Sequence, residues 1–272
     1  MTEYEKSAMV AAREFRSENG LGIAPIADVV TLIEQTRDVD VAVLDVEDSD
    51  EHGLTMIDPA RGVTIVGVAR SLHPMRWRST LGHELGHLVF DDHHAGESGS
   101  LVFNATVESR AQAFARHLLL PVEAVGQFMA DRRALDLATF SDLVQRFQIS
   151  PKIAAIQLRD SGYRDQGDLN LFAGTFTPSL AARFGWMDQY RALQVESSQR
   201  RSPQRLLARA VAGYAAGVVT IETLAGVRGI PAADLATELT EAGVRVRGAV
   251  AHPADRDVRD AGEFIDLSWL DE

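Results

Sequence analysis

The residues best suited to chemistry lie in the segment HELGH, where His83, Glu84 and His87 fall within two turns of a predicted helix. Histidines four residues apart lie on one face of a helix, so both imidazoles can reach a single Zn²⁺ at about 2.0–2.1 Å. Glu84 points beside that metal, where a carboxylate can take a proton from an attacking water and pass it to a leaving amine. The pattern predicts metal-dependent hydrolysis, with Glu84 as general base.

A catalytic zinc site needs a third protein ligand and an open position for water. Glu108, in the first turn of another predicted helix, would complete a His₂Glu set. His93 has the spacing of the longer motif HExxHxxGxxH, but Phe90 stands where that motif turns at a glycine. His94 has no such spacing, and His117 lies about 180° around its helix from Glu108. We favour Glu108 as the third ligand.

These side chains depend on a framework of helices and a small sheet. Residues 4–18 have helical apolar spacing that stops at a glycine C-cap signal. Three β-rich runs follow, VDVAVLDV, GLTMIDPA and GVTIVGVA. Pro74 suits the first turn of the HELGH helix, and Thr106 is a candidate N-cap for the helix that carries Glu108. The pattern predicts an α+β fold.

Two later segments match each other at an offset of 81 residues. Thr139, Leu143, Ile149, Leu158 and Gly162 correspond to Thr220, Leu224, Ile230, Leu239 and Gly243. In each segment a short helix precedes a turn and a second helix, which is the outline of a helix-turn-helix. Two ordinary helical hairpins fit the pattern at least as well, so direct DNA binding stays open.

Composition narrows the function classes. A formal net charge of −12 repels phosphate backbones, so nonspecific nucleic-acid binding is not expected. The chain has no cysteine, so a metal must be held by His, Asp or Glu, and a reducing interior suits it. The charged N-terminus lacks a signal-peptide core, and no stretch approaches the roughly 18 apolar residues of a membrane span. We expect a soluble, cytoplasmic protein that makes no membrane contact.

The segment RWRSTLGHELGHLVF followed by ESRAQAFARHLLLP resembles the ImmA/IrrE family of metallopeptidases over roughly residues 5–165. The resemblance implies a gluzincin-like core with His83, His87 and Glu108 as zinc ligands and Glu84 as general base. It also identifies RFQISPKIAAIQLRDSGY with the helix-turn-helix-like unit that follows the core in that family. The implied activity is site-specific cleavage of a helix-turn-helix (XRE-type) transcriptional repressor, which derepresses stress, phage or mobile-element genes.

One position departs from the family pattern. Where relatives can place a tyrosine near the metal, this chain has Phe147, which has no hydroxyl to stabilise an oxyanion. Arg76, Arg78 and Tyr163 are candidate substrate or oxyanion contacts, although packing or surface roles are the simpler interpretation.

We therefore expect a zincin-like core in residues 1–130, a helix-turn-helix-like unit in 131–166, and a mostly helical C-terminal extension in 167–272. The extension would hold the second helix-turn-helix-like unit near 205–245. Zinc is the expected cofactor, with Mn²⁺ or Fe²⁺ left open because ligand type alone does not select between them. The alternative function is a non-proteolytic regulator that binds a partner protein or DNA and holds a structural metal. Glu84 argues against it, since a structural site needs no base.

Overall fold

A computed structural model describes residues 2–46, 53–58, 62–92, 105–130, 132, 134–163, 172 and 174–246. The chain divides into two compact units, Met1–Gln204 and Arg205–Glu272. The boundaries predicted after residues 130 and 166 both fall inside the first unit. The reason is shared burial: Phe140, Leu143 and Leu158, from the predicted middle unit, belong to the same hydrophobic core as the helices before them.

The predicted α+β class is confirmed. The described helices of the first unit are α1 (Glu3–Glu18), α2 (Val29–Arg37), α3 (Pro74–Phe90), α4 (Ala105–Leu119), α5 (Val122–Ala130), α6 (Leu137–Phe147), α7 (Pro151–Asp160), α8 (Thr177–Arg183) and α9 (Met187–Ser198). Its strands are β1 (Asp40–Leu44), β2 (Gly53–Asp58) and β3 (Val63–Ala69). The HELGH segment lies in α3 and Glu108 in the first turn of α4. Thr106 lies within α4, so its predicted N-cap role was wrong.

The three strands form a sheet of order β1-β3-β2, in which β3 is parallel to β1 and antiparallel to β2. Side chains alternate between faces, so Val66 and Val68 of β3 are buried on the face that packs on the helices. Register places Thr55 opposite Val66 and Gly53 opposite Val68, on that same face. β2 therefore directs Gly53 and Thr55 toward α3.

Two glycines let α3 and α4 approach closely. A Cβ at Gly82 would lie 3.2 Å from Ala115 Cβ, and one at Gly86 would lie 3.2 Å from Ala111 Cα. Each glycine costs about 1 kcal/mol in a helix relative to alanine. In return, the missing side chains let the two helices approach closely. This approach brings α4, which carries Glu108, against α3, which carries HELGH.

A buried polar network joins α1, α4 and α7 behind this helix pair. His117 Nε2 lies 2.9 Å from Glu5 Oε1, Gln157 Nε2 donates to His117 Nδ1 over 3.2 Å, and Arg116 pairs with Glu5. Burial alone would raise the pKa of Glu5, but the hydrogen bond and charge of Arg116, joined by those of His117, lower it. Burial lowers the pKa of His117. His117 therefore serves the core, as its position on the helix predicts.

Segments beyond the helix-turn-helix-like pair complete the first unit. Trp186 Nε1 donates to the buried Ser141 Oγ over 2.9 Å, and Ser197 Oγ donates to Ser71 O over 2.7 Å. Arg201 exchanges backbone hydrogen bonds with Val43 of β1 and forms a two-pronged ion pair with Glu34. The stretch around Arg201 is thus an extra partner of the sheet edge.

Three described helices make up the second unit, the first of which begins one residue before the boundary: α10 (Gln204–Ala215), α11 (Ile221–Arg228) and α12 (Ala232–Glu241). Its small core is built on Leu224, Ala225, Leu235 and Leu239. The turn between α11 and α12 passes through Gly229 at φ 76°, and the turn between α6 and α7 passes through Gln148 at φ 51°, which is 81 residues earlier. The repeated helix pair predicted from the sequence is present in both units. In the described part of the chain, no helix is long and apolar enough to cross a membrane.

Candidate metal centre

His83, His87 and Glu108 converge on one point between α3 and α4. One ligand atom from each of the three lies within 4.8 Å of the others. His83 Nε2 is 3.0 Å from His87 Nε2 and 3.0 Å from Glu108 Oε2, and His87 Nε2 is 3.7 Å from Glu108 Oε1. The two histidines come from successive turns of α3, and the close approach at Gly82 and Gly86 brings Glu108 to them.

The donor set fits a divalent cation. Tetrahedral zinc with bonds of about 2.0–2.1 Å holds its ligand atoms about 3.3 Å apart, close to the separations found here. Two ring nitrogens and a carboxylate facing one another are all electron-rich, so they need a cation or protons between them. Burial lowers the pKa of His83, and the adjacent His87 lowers it further, against the opposing effect of Glu108. A neutral imidazole with a free lone pair is the form that binds a metal.

A second contact holds His87 in place through Nδ1, the ring nitrogen that does not face His83 and Glu108. Its Nδ1 lies 2.7 Å from Asp92 Oδ1, and Asp92 Oδ2 accepts from Arg110 Nη2 over 2.8 Å. The Arg110 guanidinium also lies 4.2 Å from the centroid of the Phe90 ring. Because Asp92 accepts a hydrogen bond from Nδ1–H, the Nε2 lone pair of His87 is directed at the convergence point.

The Glu84 side chain extends from α3 to β2 and is held in place by that strand. Its Oε2 accepts a hydrogen bond from Thr55 Oγ1 over 2.9 Å. A Cβ at Gly53 would stand 2.4 Å from Oε1, so only glycine leaves room for that oxygen. The residue is 5% exposed. Burial raises the pKa of the Glu84 carboxyl, although the hydrogen bond from Thr55 opposes the shift. A raised carboxyl pKa suits proton transfer near neutral pH.

The remaining predicted site residues lie elsewhere or outside the described chain. Arg78 is buried, and its guanidinium donates to the carbonyls of Ile26, Ala27 and Gln148, which gives it a structural role at the start of α3. Tyr163 is partly exposed and its hydroxyl donates to Gly126 O over 3.4 Å.

Arg76 is exposed on α3, and Phe147 is buried in the core. His93 and His94 lie outside the described residues. α3 continues as a helix through Phe90 and turns at Asp91, at φ 53°, one residue later than the glycine of the longer motif would turn. The turn brings Asp92 back against His87.

Comparison with known families agrees with the sequence resemblance. Residues 34–159 match the family Peptidase_M78, described as the IrrE N-terminal-like domain. The chain has an ImmA/IrrE-family peptidase domain. This IrrE-like domain spans the sheet, both helices of the candidate metal centre and the first helix-turn-helix-like pair. No curated protein matches the chain.

Three residues around the IrrE-like centre were not predicted as site residues. Thr55 lies in a strand that the sequence identifies only by its β propensity, and Asp92 lies in an acidic run that reads as a helix end. Arg110 comes two residues after Glu108, on a helix recognised for its glutamate. For Asp92 and Arg110 the available signal was proximity along the chain to His87 and Glu108, which does not specify which side chains fold back onto the centre; Thr55, 29 residues from Glu84, had no such signal.

Proposed function

We propose that this protein is a zinc-dependent endopeptidase that cleaves a helix-turn-helix (XRE-type) repressor at one site, derepressing stress, phage or mobile-element genes in the cytoplasm. The observation that carries the proposal is the convergence of His83, His87 and Glu108 on one point. The buried carboxylate of Glu84 lies in α3, the helix that also carries the two histidines. The membership of residues 34–159 in a peptidase family supports the same chemistry.

In this proposal His83, His87 and Glu108 hold the metal. When bound, zinc polarises the scissile carbonyl and makes the attacking water more acidic. Mn²⁺ or Fe²⁺ could bind the same nitrogen and oxygen ligands, since availability decides between such metals as much as ligand type does. Metal analysis of the purified protein identifies which ion it carries.

Glu84 is proposed to move the proton. The carboxylate takes the proton of the attacking water at Oε1, the oxygen that Thr55 does not bind, and returns it to the nitrogen of the leaving amine. Its buried surroundings and raised pKa favour holding that proton between the two transfers. Thr55 fixes the other oxygen, so the carboxylate keeps one orientation during the reaction.

The edge of β2 that pairs with no described strand supports an extended segment as substrate. Within the described residues β2 pairs with a strand, β3, along one edge only. An extended peptide can add to such an edge through main-chain hydrogen bonds. A flexible linker between the DNA-binding and oligomerising parts of a repressor has the conformational freedom to do so, and its cleavage would separate the two functions.

DNA binding through the second unit is not part of this proposal. α12, the second helix of the repeated pair, carries Asp234, Glu238 and Glu241 and has neither lysine nor arginine. A helix of that charge is repelled by phosphate, whereas DNA-reading helices rely on basic side chains for affinity.

The test is to incubate the purified, zinc-loaded protein with repressors encoded near it and to identify fragments by mass spectrometry. Wild type should produce one pair of fragments, and Glu84→Gln should produce none while keeping its zinc content. A chelator should stop cleavage and added zinc should restore it. If Glu84→Gln relieves repression in cells as well as wild type does, the protein acts by binding and the peptidase proposal fails.

A further inference from the structure

Asp92 lies just beyond the helix that carries HELGH, at a turn that reverses the chain. α3 ends at Phe90, and Asp91 adopts the left-handed conformation with φ 53°. The Asp92 backbone N–H then donates to His87 O over 3.2 Å. This turn folds Asp92 back along the last turn of α3, so its side chain reaches the ring of His87.

The contact with His87 is short and sheltered. Asp92 Oδ1 lies 2.7 Å from His87 Nδ1, and the Asp92 side chain is 11% exposed. The other ring nitrogen, Nε2, faces His83 and Glu108. A carboxylate at Nδ1 keeps the proton on that nitrogen and fixes the plane of the ring. It leaves Nε2 as the nitrogen able to bind a metal.

The second oxygen of Asp92 is bound by the helix that provides the third ligand. Arg110 follows Glu108 by two residues in α4, and its Nη2 donates to Asp92 Oδ2 over 2.8 Å. The guanidinium also stacks on Phe90, the last residue of α3. Both oxygens of Asp92 are therefore engaged, one by each of the two helices that carry the candidate ligands.

We propose that Asp92 is a positioning residue for His87 in metal binding, and that Arg110 holds Asp92 in place and couples the two ligand-bearing helices. The inference rests on the proposed metal-binding function. It adds two residues, outside the ligand set and the base, on which zinc affinity depends.

The first experiment measures zinc affinity by competition with a chromophoric chelator, so it needs no peptide substrate. Asp92→Asn keeps the size of the side chain but removes its charge and leaves one acceptor oxygen in place of two, so it cannot accept from both His87 and Arg110; it should weaken zinc binding about 10–100-fold. Asp91→Asn is the matched control, because it removes the same charge one residue earlier at an exposed position where asparagine tolerates positive φ. It should leave the affinity within about threefold.

A second measurement separates positioning from general damage to the fold. Long-range ¹H–¹⁵N spectra of the zinc-loaded protein report which ring nitrogen of His87 carries the proton. Wild type should show an Nδ1 proton that its hydrogen bond protects from exchange with water, and Asp92→Ala should lose that protection although the proton stays on Nδ1. Arg110→Met should weaken zinc binding several-fold, and Arg110→Lys, which keeps a charged donor, should recover part of the loss.

Zinc affinity that is unchanged in both Asp92→Asn and Arg110→Met would overturn the inference, as would an equal loss in Asp91→Asn. Either result would leave the proposed peptidase function standing, because wild type would still bind zinc. If wild type itself binds no zinc, the proposed function and this inference fail together, and that outcome is recognised before any variant is made.

Discussion

Replacing Gly86 with alanine should weaken metal binding, because it pushes apart the two helices that carry the candidate ligands. A Cβ at this position would lie 3.2 Å from Ala111 Cα, 3.3 Å from Ala111 O and 3.3 Å from Phe114 Cδ1. Ordinary carbon contacts are about 3.5–4.0 Å, so α4 must move away by about a few tenths of an ångström. Two of the three atoms are backbone, so a change of side-chain rotamer cannot relieve the contact.

The effect on stability is a small difference between two opposing contributions. Alanine in place of glycine gains about 1 kcal/mol in a helix, and overpacking costs about 1–3 kcal/mol. The free energy of unfolding should fall by about 0–2 kcal/mol. Metal binding tolerates less, because ligand distances vary by only about 0.2 Å and Glu108 moves with α4 while His87 stays with α3. We expect zinc affinity to fall on the order of tenfold, as when a residue that supports a ligand is lost.

The assay pairs chelator competition for zinc with thermal unfolding of the metal-free protein. Gly126→Ala in α5 is the matched control, since the nearest atom to its Cβ would be Tyr163 Oη at 4.0 Å. That variant should gain up to about 1 kcal/mol of stability and bind zinc as wild type does. If Gly86→Ala also gains stability and keeps wild-type zinc affinity, the close approach of α3 and α4 does not set the geometry of the centre.

Two further predictions follow from the contacts of the first unit. Thr55→Val removes the hydroxyl that binds Glu84, and it should lower the turnover of repressor cleavage about 10–100-fold at unchanged zinc content. Thr55→Ser keeps the hydroxyl and should keep most of the turnover. Equal turnover in both variants would exclude a positioning role for the hydroxyl. Because folding lowers the pKa of His117 and of Glu5, each residue contributes its full stabilisation of the fold only above its ordinary pKa, 6.5 for the histidine and 4.5 for the glutamate. The free energy of unfolding should therefore fall as the pH drops below about 6.5, and more steeply below about 4.5. Urea unfolding across this range should show a shallower acid limb for Glu5→Gln than for the exposed control Asp188→Asn, and parallel limbs would contradict the assignment.

Much of the fold could be read from local patterns. The three β-rich runs became β1, β2 and β3, and the glycine after the first apolar repeat is at φ 63°, where the first helix ends. The helix carrying Glu108 was assigned correctly, but its start was not, because Thr106 is as good a first-turn residue as an N-cap. The domain boundaries differ because chain position does not show which helices share a core: α6 and α7 bury their apolar faces with the preceding helices, and Arg201 joins the sheet edge.

The sequence by itself identified the side chains that make up the candidate centre. Helical periodicity places His83 and His87 on one face, and no cysteine is present to offer another ligand. The family resemblance also pointed to Glu108. Only the tertiary structure decided which side chains hold that centre, since Thr55, Asp92 and Arg110 reach it through strand register, a left-handed turn and the packing of two helices. Such contacts depend on where separate elements meet, and a one-dimensional pattern carries that information only where, as at Gly82 and Gly86, close packing requires a particular residue.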